Sequence, residues 1–332
     1  MTITNFQDGV SSFGMTLGAF PTGNVYYVAN DSDTASSLLL KARYENIQYD
    51  DGTVAYHTTV QSAINATTTN RNDTILLDGI GSHSFSTGIT LTKSRIHFIG
   101  MDGGNRILQQ GTKLSLATAS SSAFVLKNTG TRNTFENIKF INSATAGTAL
   151  HVVEMGGEGS VYKNCSFVFG VADNLDQTNA YEVVMGEDSG TFINCMFGSD
   201  TLKTTVARAV MAIDQVTASQ EMKSNVFKDC MWNINSSDAN AHFIRVLANT
   251  DMKFHQIFID PVFHATIVNS QSTAVLTEAV ENEVQAVEGN MLFIRPATNT
   301  TQFSTATNAN TNIKVVAAVS AANVIEGIAP IA

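Results

Sequence analysis

One six-residue phrase recurs along the middle of this chain and narrows what it can fold into. It reads Phe135-Glu136-Asn137-Ile138-Lys139-Phe140, then Tyr162-Lys163-Asn164-Cys165-Ser166-Phe167, then Phe192-Ile193-Asn194-Cys195-Met196-Phe197, then Phe227-Lys228-Asp229-Cys230-Met231-Trp232. A degraded fifth copy is read at Phe254-His255-Gln256-Ile257-Phe258, and the starts are separated by 27, 30, 35 and 27 residues. Self-similarity at a period of tens of residues marks a solenoid. The apolar/polar alternation inside the phrase has period two, so the phrase is strand. The Asn-type position interrupts that alternation, as a bend between two short strands does, because Asn tolerates unusual backbone angles.

Stacked coil on coil, Asn137, Asn164, Asn194, Asp229 and Gln256 are expected to form a polar ladder. Ile138, Cys165, Cys195, Cys230 and Ile257 are expected to stack beside it, pointing inward. Further apolar strands lie between the phrases, at 123–126, 150–153, 181–185, 209–213 and 243–247. About three strands per coil predict an all-β fold, a single-stranded right-handed parallel β-helix, its hand following the crossover preference. Five coils spaced by roughly 4.8 Å make a rod of roughly 25 Å. The expected division is an N-terminal arm and docking segment over 1–52, the β-helix over 53–270, and a C-terminal β cap and oligomerisation region over 271–332.

Composition fits that architecture. The 332 residues are 43% hydrophobic but only 14% charged, so the surface is rich in Ser, Thr, Asn and Gly, which β-solenoid turns consume. The four prolines are few, as befits a sheet whose strands are nearly all central. A net charge of −10 without a basic run argues against nucleic acid as a partner. No apolar run reaches the ~18 residues of a membrane span. No basic-then-apolar leader is read at the start, and synthesis in a reducing cytoplasm is expected. The three cysteines share one repeat position, and their odd number and inward stacking predict buried free thiols, not a disulfide or a metal site. No cofactor is expected.

Residues 57–68 are expected to form a helix with Val60, Ala63, Ile64 and Thr67 on one face, covering the open end of the first coil. Residues 36–49 fit either a short helix or a meander. The Gly-rich start, with Phe6, Phe13, Met15, Leu17 and Phe20, and the apolar finish from Ile325 to Ile331 are both expected to be buried against another surface.

Two resemblances follow from particular residues. Thr59-Val60-Gln61-Ser62-Ala63-Ile64, then Asp73-Thr74-Ile75-Leu76-Leu77, then the stretch from Gly88 to Gly100, resemble the opening of pectate-lyase-like β-helix proteins. About 45 residues are covered, and the likeness implies fold more than activity. Gly9-Val10-Ser11-Ser12-Phe13-Gly14, followed by Thr22-Gly23-Asn24-Val25-Tyr26-Tyr27-Val28, is similar to the head of β-helix proteins encoded among tailed-phage virion genes. The sequence departs from that pattern after Asn30. This second likeness implies a structural protein of a phage particle, made in the host cytoplasm and seated on the head surface as a homotrimer. Its partner would be the major capsid protein or another virion protein.

The competing expectation is a tailspike-like polysaccharide depolymerase or a glycan-binding adhesin. Glycoside hydrolysis needs two carboxyls roughly 5–10 Å apart. Glu154, Glu182 and Glu187, or Asp173 and Asp176 on a loop, are the candidates. His151, Glu182 and His242 are read at similar outward positions of successive coils, as an acid/base cluster or a solvated face. Arg208 and Arg245 stand apart from these carboxyls in sequence. Asp50-Asp51 reads as a turn. The single Trp and the inward placement of most Phe give a glycan-binding face little support. The balance of these readings is a non-enzymatic protein.

Overall fold

A computed structural model of the chain describes residues 23–29, 35–79, 82–102, 111–172, 174–217, 221–247, 251–265 and 289–298, with short strands at 11–12, 15–16, 280–282 and 313–316. Most of the Gly-rich start, the strand expected at 283–287, the apolar finish from Ile325 and Asp173 lie outside the described residues.

The phrase folds as its alternation demands. Phe135, Tyr162, Phe192 and Phe227 lie in the strands Thr134–Glu136, Val161–Lys163, Thr191–Ile193 and Val226–Lys228. Consecutive copies pair in parallel, each aromatic directly opposite the next. The chain then bends at Asn137, Asn164, Asn194 and Asp229, with φ of 59°, 51°, 52° and 53°. That left-handed region is disfavoured by most L-residues, and Asn and Asp visit it most readily after Gly. Asn164 Nδ2 donates to Asn137 Oδ1 at 3.0 Å, and Asn194 Nδ2 donates to Asn164 Oδ1 at 2.6 Å. The expected amide ladder is therefore present. Replacing Asn194 with Val, which is β-branched, is expected to destabilise the fold by about 1–3 kcal/mol in urea denaturation, through strain at this bend.

After the bend come the strands Lys139–Asn142, Ser166–Phe169, Met196–Phe197 and Met231–Ile234. A loop then leads to a third set, His151–Met155, Tyr181–Met185, Ala209–Ile213 and His242–Val246. The result is a right-handed parallel β-helix with three faces. Sheet I holds 12 described strands, sheet II holds 8 and sheet III holds 7. Seven strands at roughly 4.8 Å spacing give a stack of roughly 30 Å, longer than the five-coil rod expected.

The aromatic positions of the phrase fill the interior as two stacks. Along sheet I, Phe98, Phe135, Tyr162, Phe192, Phe227, Phe258 and Phe293 lie ring over ring with centroids 4.5 to 5.0 Å apart. Along sheet II, Phe140, Phe167, Phe197, Trp232 and Phe263 repeat at 4.9 to 5.3 Å. The two stacks meet at steep angles, 70° between Phe135 and Phe140. These separations suit aromatic pairs. Between the stacks sit Cys165, Cys195 and Cys230, each fully buried and free, above the equally buried Ile138. Burial pushes the Cys195 thiol well above its ordinary pKa, and its two thiol neighbours add to this, so it stays protonated.

The fifth copy is shifted from its expected register. Phe258, not Phe254, stacks on Phe227, and the bend falls at Asp260, φ 50°. The working copy is Phe258-Ile259-Asp260-Pro261-Val262-Phe263, so Gln256 and Ile257 are not rungs of the bend ladder or the thiol column. Parallel pairing also crosses both expected domain boundaries. Val25–Val28 joins sheet I beside Thr74–Leu77, and at the far end Gly289–Ile294 and Ile313–Val316 continue it.

The described cap helix is Val60–Ala66, shorter than the expected 57–68. Thr59 caps it by accepting from Ser62 N, and His57 belongs instead to a short strand beside Val28. Val60, Ala63 and Ile64 are buried against the first coil, as the periodicity requires. Residues Ala35–Tyr44 settle the open alternative as a helix, with Tyr44 stacked on Tyr27 at 3.6 Å. No helix among the described residues is long and apolar enough to cross a membrane.

Candidate functional site

Three strands of sheet III carry an extra inward residue. Val152 and Val153, Val210 and Met211, and Phe243 and Ile244 are consecutive pairs that both belong to the core. Simple alternation therefore misplaces the side chains of this sheet. Glu182 occupies the place of Val152 and Val210 in the adjoining coils. It points inward and is 1% exposed. His151 stays outside, half-buried, beside Tyr181 at 5.9 Å, and His242 lies outside but buried three coils further along. The structure therefore does not bring His151, Glu182 and His242 together.

Each of the carboxyls singled out from the sequence, where described, is engaged. Arg208, 2% exposed, turns inward from the loop before its strand and grips Glu182 with two nitrogens, at 2.7 and 2.9 Å. Burial pushes the Glu182 carboxyl up, and the Arg208 guanidinium opposes that push. Glu154 lies on the outer face between His151 Nδ1 at 2.8 Å and Lys127 Nζ at 2.9 Å. Burial raises the Glu154 carboxyl, but the hydrogen bonds from His151 and Lys127 outweigh it and hold the group below its ordinary value. Beside it, Tyr181, Val184, Ala209 and Ala212 form a small second apolar cluster with Val216 and Leu247. Lys127 Nζ also reaches Val216 O at 3.4 Å, tying down the loop that follows Ile213. Asp176 accepts from Thr205 N at 2.7 Å and is a loop brace. Asp51 accepts from Thr53 and Arg71, which hold it well below the usual carboxylate range, as the turn reading of Asp50-Asp51 expects. Arg245 lies three coils from Glu154 in the same outer row and opposite Glu281.

Glu187 belongs to a buried polar chain at the turn from sheet III to sheet I. Its Oε1 accepts from Ser160 N at 2.7 Å, its backbone O accepts from Asn225 Nδ2 at 2.7 Å, and Asn225 Nδ2 also donates to Gln256 Oε1 at 2.9 Å. Glu187 Oε2 is buried with no hydrogen-bond partner among the described residues. Burial lifts this carboxyl from 4.5 to about 7. An acid raised on folding stabilises the fold below its unfolded pKa, and that stabilisation is lost as pH rises to the folded value. Stability is expected to fall by on the order of 3 kcal/mol between pH 4.5 and 7, and Glu187→Gln is expected to remove that slope in denaturation midpoints measured across pH.

A depression lies on the outer face of sheet II, which the sequence did not single out. It has a volume of about 430 Å³. Its floor is Ile141, Val168, Met196 and Met231, and its polar lining includes Lys139, Asn233, His264 and the rim Ser199–Asp200–Thr201. Its origin is local. Met196–Phe197 is two residues long where the strands on either side have four, because Gly198, at φ 81°, turns the chain out of the sheet. Val168 and Asn233 flank a position with no side chain. Among the described residues no group of three or more His, Cys, Asp or Glu side chains could hold a metal ion.

No protein-family model matches the chain, and no curated protein matches it. Solved structures do. A pectin methylesterase variant in complex with a hexasaccharide aligns at TM-score 0.51 and 12% identity over 88% of this chain and 80% of that one. A pectate lyase aligns at 0.52 and 16% identity over 82% of this chain and 62% of its own length. Pectin methylesterase from carrot aligns at 0.51 and 16% identity over 82% and 87%. At such identities the likeness defines the pectate-lyase-like parallel β-helix fold, as the sequence from Thr59 to Gly100 implies, and a shared fold leaves function to be argued from the site.

Proposed function

We propose that this chain is a non-enzymatic structural protein of a tailed-phage particle. It coats the head surface as a homotrimer and acts by rigid contact with the major capsid protein or another virion protein. The likeness of residues 9–14 and 22–28 to virion β-helix proteins suggests this role. The observation that carries the non-enzymatic part is the closed Glu182–Arg208 pair. An acid/base carboxyl must reach its substrate, whereas this one is 1% exposed and satisfied by two nitrogens inside the coil. An uninterrupted interior of stacked rings suits a part whose task is to resist unfolding and proteolysis on a particle surface.

Cryo-electron microscopy of purified particles tests the reading. The expected result is β-helical density on the head, in copy numbers set by capsid symmetry. Absence of the chain from particles, location only at the tail tip, or release of sugars from host capsule by the purified protein would overturn it, the last in favour of a depolymerase.

A further inference from the structure

We propose that the groove on the outer face of sheet II is a binding site for a short acidic oligosaccharide, one carrying a uronic-acid carboxylate. This goes beyond the structural role above and does not depend on it.

The groove is built in advance of any ligand. Its rim is held by Asn235 Nδ2 donating to Asp200 O at 3.0 Å, by Thr201 N donating to Ser199 Oγ at 3.1 Å, and by Ser199 Oγ and Thr201 Oγ1 at 2.6 Å. Leu202, at the base of the rim, packs against the core. A volume of about 430 Å³ falls within the range of small-ligand sites.

Two features inside it call for a partner. Asn233 is 5% exposed, yet its Oδ1 has no hydrogen-bond partner among the described residues. Buried amides are nearly always bonded, so one left open beside a groove marks a ligand position. The assignment of amide oxygen and nitrogen is interchangeable, so this group offers the ligand a donor or an acceptor. At the other end Lys139 lies directly opposite Lys113 in the parallel register. Burial pushes the Lys139 ammonium down, and the charge of Lys113 pushes it further. Like charges directly opposite one another are unfavourable. Among the described residues neither lysine has a carboxylate within ion-pair distance, in a chain whose net charge is −10. An anionic group seated between them relieves the repulsion.

The remaining lining selects the ligand class. Ile141, Val168, Met196 and Met231 supply the apolar part of the lining, which suits the C–H face of a pyranose ring. Asp200 accepts hydrogen bonds only, whereas Ser199, Thr201 and Asn233 both donate and accept, which suits the vicinal hydroxyls of a sugar. The Asp200 carboxylate disfavours a polyphosphate. One carboxylate at the Lys139 end, with Lys113 on the adjoining strand beyond the lining, and hydroxyls at the Asp200–Asn233 end describe a uronic acid joined to a neutral sugar.

The test is isothermal titration calorimetry on the full chain with two probes, a glucuronic-acid-containing disaccharide and the neutral disaccharide of the same linkage. The acidic probe is expected to bind at least about tenfold more tightly, since a charge-assisted contact contributes more than a neutral one. That advantage should shrink as salt is raised. Lys139→Gln is expected to erase the difference between probes, Asn233→Ala to weaken both, and Thr201→Trp, at the exposed rim, to block both. Lys127→Gln on sheet III should change neither. Melting temperature identifies the variants that remain folded, and the exposed Thr201 position keeps the test informative if Asn233→Ala does not fold. Absence of binding by the parent chain, equal affinity for the two probes, or binding that survives both Lys139→Gln and Thr201→Trp would overturn the proposal.

Discussion

Arg208→Met is expected to destabilise the protein by about 3–5 kcal/mol in urea or thermal unfolding, although the residue touches no solvent-facing site. Arg208 grips both oxygens of Glu182, at 2.7 and 2.9 Å, inside the coil. Removing the guanidinium leaves a carboxyl 1% exposed among apolar neighbours. That carboxyl then takes up a proton to avoid an unpaired buried charge, so its pKa rises further above the unfolded value. The variant should therefore lose stability as pH rises through the carboxyl range, with the deficit largest at neutral pH and smallest in acid. The double variant Glu182→Val, Arg208→Met should recover most of the loss. Val152 and Val210 already occupy the equivalent place in the adjoining coils, and a buried pair replaced by matched apolar residues is often neutral or stabilising. A double variant no more stable than Arg208→Met alone would show that the pair specifies the coil geometry instead of merely neutralising itself.

Phe192→Ala is expected to have a comparable effect, about 3–5 kcal/mol. Phe192 lies between Tyr162 at 4.9 Å and Phe227 at 4.6 Å, fully buried in the middle of the sheet I stack. Truncation removes contacts on both faces of the ring, and paired strands above and below limit how far the coils can collapse into the cavity. Trp232 makes the contrasting case. It continues the sheet II stack between Phe197 at 4.9 Å and Phe263 at 5.0 Å, but its indole Nε1 is buried without a hydrogen-bond partner among the described residues. Trp232→Phe restores the ring type of its neighbours and removes the unpaired donor, so its loss should be much smaller than that of Phe192→Ala in the same denaturation series.

The fold was legible because two kinds of information agreed in the phrase. Aromatic spacing set which residues stack, and the Asn position set where the chain bends. Legibility failed where these separated. Phe254 and Phe258 are both aromatic and four residues apart, so aromatic spacing alone places the fifth rung four residues early. Only Phe258 is followed two residues later by an Asp that takes the left-handed bend, Asp260. The next copy, Phe293-Ile294-Arg295-Pro296-Ala297-Thr298, keeps a left-handed bend at Arg295 but has Thr in place of the second aromatic, so the repeat stops in the sequence before it stops in space.

The site was less legible for a different reason. Strict alternation places Glu182 outside, and the extra inward residue that its strand shares with the adjoining coils turns it inside. Arg208 follows Glu182 by 26 residues, close to one coil, so the period itself could have brought them together where sequence distance kept them apart. The groove on sheet II depends on one glycine that interrupts an outer row. No residue type in the phrase announces that, because outward positions vary freely from coil to coil.

Native-state alkylation of the three cysteines tests the central claim most directly. If the phrase forms superimposed rungs inside one parallel β-helix, Cys165, Cys195 and Cys230 should all remain unmodified by iodoacetamide while the native far-ultraviolet circular dichroism persists. All three should become labelled together as the protein unfolds in denaturant. Labelling of any one of them in the native protein at the rate of an unfolded peptide would contradict the account.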